Sequence, residues 1–238
     1  MKEAHQTGTP FVDALNIQQQ LAPHTPQIGE AVYFLDFETI AQAVPVWANT
    51  HPYQAVLYQF SCHVMSSDGA LAHHEFLDTS GNDPRIPFAD ALIAALGESS
   101  SAIFVYSSFE RTQLKALSID VPKHSAAIGQ IIHRLVDLLP IVQGSYYHPL
   151  MQGSWSIKRV LPAMFGNDDA DLSYAKLATS VDGGAVADGG AATVAFIEVI
   201  DPHTTPERKA AIHAQLLAYC KLDTLAMVRV WERLKVLT

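Results

Sequence analysis

Residues 31–39 read AVYFLDFET. A short apolar run rich in β-formers predicts a buried strand over 31–38. Side chains alternate across a strand, so Asp36 and Glu38 share one face. Taken singly, Asp36 would suit a turn at the strand end and Glu38 a solvent-facing position. The apolar run before them makes the strand central, however, and adjacent carboxylates on a central strand are costly without cations or other compensation.

Two further acidic places lie downstream. AIFVY (102–106) predicts a compact buried strand, and the overlapping YSSFE (106–110) ends in Glu110, at the start of a helical stretch, FERTQLKALS. Alone, Glu110 would complement a helix dipole. In YCKLD (219–223), Tyr219 and Asp223 are four residues apart and lie together on a helix. Leu216, Leu217, Cys220, Met227 and Val230 make that helix a closely packed one. A strand pair, a carboxylate just past a second strand, and a Tyr/Asp helix face can converge on two divalent cations, the arrangement that phosphodiester hydrolysis uses.

Around these places, 54–65 and 70–77 predict two strands joined by the turn SSDG. Helices are expected over 87–96 and about 122–135, and DLLPIV (137–142) is expected to return to the sheet or its edge. GSWSIKRVLPAMF (153–165) begins like a capped helix, and AATVAFIEVI suits a helix or a strand, with the helix favoured. Residues 180–190, SVDGGAVADGG, predict a flexible loop. Thr205-Pro206-Glu207 combines a capping hydroxyl, a first-turn proline and an early acid, starting a helix that runs to about 236. The expected fold class is α/β: a three-stranded antiparallel meander plus parallel strands in one mixed sheet, flanked by helices. Residues 1–29, polar and carrying prolines at 10, 23 and 26, are expected to be a flexible leader to a single domain over 30–238.

A hydrophobic fraction of 49% supports a substantial core. No apolar run approaches the roughly 20 residues that span a bilayer, and the N-terminal stretch lacks a secretory apolar segment. The two cysteines have no metal-ligand spacing, so a cytoplasmic protein with reduced thiols is expected. The net charge of −9 argues against a general polyanion-binding surface. Local cations can still hold phosphates, and Arg111, Lys115, Lys123, Lys158 and Arg159 are candidates. Eleven histidines form no zinc pattern, and His63, on a predicted strand, is read as a hydrogen-bonded core residue.

FLDFET, YSSFE and YCKLD resemble the three motifs of the DEDD exonuclease superfamily, which has a ribonuclease H-like fold. Tyr219-x3-Asp223 is similar to its tyrosine branch; the histidine branch would place a histidine at 218, which is Ala218 here. More closely, the chain resembles an uncharacterised bacterial family, domain of unknown function 2779. The resemblance rests on FLDFET, His51–Gln54, Gln59–His63, Tyr106–Glu110, Val136–Leu138 and Gly153–Pro162, and covers about 31–234. That family's domain often follows a RecB-like nuclease domain. One departure is chemical: the second motif usually ends in aspartate, and here Glu110 takes that place, with Asp137 as a substitute candidate or a structural cap.

The resemblance implies a metal-dependent 3′–5′ exonuclease on single-stranded DNA or RNA, using two Mg²⁺ or Mn²⁺ ions. Asp36, Glu38, Glu110 and Asp223 would be the metal ligands and Tyr219 would orient the attacking water. Phe37 and Thr39, within FLDFET, would meet the nucleic acid. Ser154 and Ser156 could cap a helix whose amides favour phosphate, with Lys158 and Arg159 neutralising it; ordinary helix capping explains the same residues. Trp155, Phe37, Tyr146 and Tyr147 could stack on bases, or fill the core as aromatics at such spacings commonly do. The rival expectations are a catalytically weak nucleic-acid-binding or assembly module of the same fold, working with a partner nuclease, and an endonuclease of that fold, in which Tyr219 has no evident role.

Overall fold

The AVYFLDFET strand, Ala31–Ile40 (β2), sits in the middle of a five-stranded mixed sheet. We describe residues 4, 7–166, 186 and 188–238 of a computed structural model. β2 pairs antiparallel with β3 (Val56–Ser66), which pairs antiparallel with β4 (Leu71–Leu77). On its other side β2 pairs parallel with β5 (Ile103–Val105), and β5 with β6 (Leu135–Asp137). The expected meander and parallel strands are therefore joined along β2.

Alternation divides β2 between two cores. Leu35 and Phe37 pack with Phe88, Leu92, Leu114 and Ile128, from helices α2 (Arg85–Leu96), α3 (Phe109–Asp120) and α4 (Ser125–Arg134). Val32 and Phe34 face the other way, towards Leu138, Val142 and Trp231. That side is covered by α5 (Leu138–Ser145), α6 (Ile157–Phe165), α7 (Gly189–Ile200) and the long α8 (Pro206–Val236). The Phe34 and Trp231 rings meet edge-on at 5.6 Å. Asp36 and Glu38 belong to this second face, beneath α8.

α8 starts as expected. Thr205 accepts a hydrogen bond from the Arg208 amide at 3.3 Å, Pro206 follows, and Glu207 lies in the first turn. Thr205→Ala is expected to lower stability by about 1 kcal/mol, measured by denaturant unfolding; an unchanged midpoint would assign the helix start to packing alone.

Three expectations need correction. Residues 11–24 are not a flexible leader: Phe11–Val12 (β1) pairs antiparallel with Tyr146–Tyr147 (β7), and Ala14–Leu21 (α1) buries Ile17 and Leu21. The polar QQQ hid an apolar seam at Ile17 and Leu21, which four-residue helical spacing brings together. Residues 138–142 do not return to the sheet but open α5. Asp137 ends β6 and accepts from the Leu139 amide at 2.9 Å, turning the chain into a helix. Pro140 is tolerated because it falls in the first turn, where amides lack intrahelical partners. Of the loop expected over 180–190, residues 180–185 and 187 lie outside the described residues, whereas Gly189-Gly190 begin α7 behind the cap Asp188.

Candidate metal centre

Asp36, Glu38 and Asp223 converge. One carboxylate oxygen from each can be chosen so that all lie within 4.8 Å of one another. The strand supplies two by alternation and α8, packed across β2 and β3, supplies the third. All three side chains are partly buried. Glu110, at the start of α3, lines the same cleft but is not among the three acids whose oxygens meet. Ser107 Oγ donates to Glu110 Oε2 at 3.2 Å.

These carboxylates, with Tyr106, Gln143, Trp155, Lys158 and Tyr219, line one cleft of about 400 Å³. A larger groove of about 940 Å³, lined by Arg134, Gln130 and residues 99–102 among others, contains none of the acids. The chemistry follows the carboxylates, so we take the smaller cleft as the candidate site.

The electrostatics are those of crowded, buried carboxylates. Burial pushes the Asp36 carboxyl well above the usual carboxylate range, and Asp223, Glu110 and Glu38 push it the same way. Burial and then Asp223 raise Glu38 to about 8, partly opposed by Lys158. Burial raises Glu110 to about 7, against hydrogen bonds from its own amide and from Ser107. Tyr219 is raised by burial and then by Asp223 and the other acids, so its hydroxyl stays protonated. Lys158 Nζ donates to the same Tyr219 oxygen at 3.1 Å. Clustered carboxylate oxygens of this kind suit hard divalent cations such as Mg²⁺ or Mn²⁺, which would remove the mutual repulsion.

The remaining candidates divide. Ser156 and Lys158 line the cleft, while Arg159 is exposed and lies with Leu150 and Pro162 in a separate depression. Ser156 precedes α6 without a side-chain capping bond, and Ser154 Oγ accepts from the Ser156 amide at 3.3 Å. Phe37 touches the cleft, but its ring is buried against Phe88, which makes it core. Thr39, partly exposed, is not among the lining residues. Tyr146 and Tyr147 are buried, whereas Trp155 is partly exposed at the cleft wall. Arg111 is engaged by the carbonyls of Ile132 and Leu135, and neither Lys115 nor Lys123 lines the cleft. Asp137 serves as the α5 cap.

His63 is the hydrogen-bonded core residue expected, but sequence reasoning missed its neighbours and their common purpose. Gln59, Ser61 and His63 of β3 are all buried and bond to α8. Their signal was present as polar residues at every second position of an otherwise apolar strand. A register shift between Glu38 and Thr39 leaves Tyr58 as the extra residue opposite β2, a bulge of the kind that re-aims side chains beside functional sites.

The fold and cleft define an α/β protein with a carboxylate-lined candidate metal centre. The chain belongs to the family described as Domain of unknown function (DUF2779), whose model matches residues 33–156, just over half of it. That span contains Asp36, Glu38 and Glu110 but stops before Tyr219 and Asp223. No curated protein and no solved structure matches the chain. Among the described residues, no helix is long and apolar enough to cross a membrane.

Proposed function

We propose that this protein is a metal-dependent 3′–5′ exonuclease for single-stranded DNA or RNA, of the tyrosine branch of the DEDD superfamily and with its ribonuclease H-like fold. The observation that carries the reading is the meeting of Asp36, Glu38 and Asp223 within 4.8 Å, with Tyr219 lining the same cleft. The order of the sheet, an antiparallel meander continued by parallel strands, agrees with that fold.

Asp36, Glu38 and Asp223 would hold two Mg²⁺ or Mn²⁺ ions, with Glu110 acting from the Asp36 side. Bound there, the cations would neutralise phosphate charge and make a water more acidic. Tyr219 keeps its proton, so it would orient a water and does not act as a base. Lys158 adds positive charge at the cleft wall for a phosphate, and Trp155 offers an aromatic face to a terminal base. A RecB-like nuclease domain is the partner this reading favours, in the cytoplasm.

The rival, a catalytically weak nucleic-acid-binding module, drew on the replacement of aspartate by Glu110. Glu110 still lines the cleft and its charge acts on Asp36, which weighs against the rival. End-labelled single-stranded DNA and RNA should be shortened stepwise from the 3′ end in Mn²⁺ and left intact in EDTA. Failure to cleave either substrate overturns the proposal; internal cuts would point to an endonuclease.

A further inference from the structure

The acids on β2 and the polar residues on β3 form two ladders side by side. Asp36 is opposite Ser61, Glu38 opposite Gln59 and Phe34 opposite His63. From β3, Gln59 Nε2 donates to the Leu216 carbonyl at 2.7 Å. Ser61 Oγ lies 2.7 Å from Thr224 Oγ1, and His63 Nδ1 lies 2.8 Å from the same oxygen. From β4, His73 Nε2 reaches Ser61 Oγ at 2.9 Å. Thr224, the residue after Asp223, is completely buried.

The donors can be assigned by counting. Thr224 Oγ1 donates its hydrogen to the Lys221 carbonyl at 3.0 Å, so it must accept from both Ser61 and His63. Ser61, with its hydrogen on Thr224, accepts from His73 Nε2–H. Each imidazole then carries a hydrogen on its bonded nitrogen. Burial keeps both His63 and His73 neutral near pH 7, lowering them to about 4. Each hydrogen in the chain thus has one direction and one acceptor.

Apolar packing would not require these groups, since valine fills the volume of threonine and buried polar groups are costly unless every bond is made. Apolar contacts alone also leave a helix free to rotate, and a shift of one residue turns it by about 100°, carrying Asp223 away from the acids. We infer that the Ser61–Thr224–His63–His73 network is a positioning device: it fixes the rotation of α8 so that Asp223 and Tyr219 meet Asp36 and Glu38. This rests on the metal-centre reading above.

The test is Mn²⁺ titration calorimetry on the full chain, comparing wild type with Thr224→Val, Thr224→Ser and Ser61→Ala, with folding checked by circular dichroism. Thr224→Val keeps the shape and loses the hydroxyl, and Ser61→Ala removes the hub opposite Asp36 should the valine variant not fold. Both should weaken Mn²⁺ binding about 10–100-fold, the cost of losing an outer-shell partner. Thr224→Ser, which retains the hydroxyl, should stay within a few-fold of wild type. A merely structural threonine would lower the melting temperature while folded protein bound Mn²⁺ as before. Folded Thr224→Val or Ser61→Ala binding within twofold of wild type overturns the inference and leaves the metal centre intact. A wild type that binds no Mn²⁺ overturns the metal centre itself, and the inference with it.

Discussion

Asp36→Asn and Asp223→Asn are each expected to weaken Mn²⁺ binding more than about 100-fold, beyond the roughly 10–100-fold cost of losing an outer-shell partner. Each also removes 3′ shortening of labelled substrate. Asparagine keeps the volume and one acceptor oxygen but cannot carry the charge that holds a divalent cation. The two variants should fail alike, because one comes from the strand and the other from the helix across it. Near-normal binding and cleavage by either would mean that its carboxylate is not a ligand. Glu110→Asp, which supplies the residue usual at that place in the exonuclease motif that the chain resembles, is the informative companion. Its shorter side chain must reach Asp36 without the extra methylene, so it separates reach from charge.

The second large effect is on stability without metal. Glu38 titrates near 8 and Glu110 near 7 in the folded chain, against ordinary values of 4.5, and Asp36 is also raised. The folded state therefore holds more protons than the unfolded state above about pH 4.5. Stability falls as pH rises, until the folded groups have ionised near pH 8. His63 and His73 act in the opposite sense: their lowered values cost stability as pH drops from 6.5 towards 4. Comparison at pH 7 and 8.5 in EDTA isolates the acids. Glu38→Gln should stabilise the metal-free protein at pH 8.5 by about 1–2 kcal/mol, the usual yield of relieving one strained functional group. At roughly 2–4 °C per kcal/mol, calorimetric melting resolves that gain. A Glu38→Gln melting temperature equal to or below wild type at pH 8.5 would show that the cluster is already compensated within the protein.

The parts of this molecule that were legible in its sequence are those set by short-range periodicity. Two-residue alternation placed Asp36 and Glu38 together, and four-residue spacing placed Tyr219 beside Asp223. Thr205-Pro206-Glu207 announced α8 because capping acts within one turn. The errors arose where a local pattern had two solutions. LLPIV is as good a buried strand as a helix start, and only the Asp137 side chain on the Leu139 amide decides between them. The α1 seam was masked by three glutamines that face away from it. Phe37, expected at the substrate, is core because alternation sends it through the sheet to Phe88. The clamp on Thr224 joins residues about 160 positions apart, a separation that periodicity does not reach.

That long reach also orders events during synthesis. Asp36 and Cys220, which touch beneath α8, are 184 residues apart. At roughly 5–20 residues per second, translation separates them by about 10–40 s. Throughout that interval a nascent chain exposes the acidic strand without the helix that brings Asp223 to it. A metal centre of the kind proposed above would load only once α8 has docked.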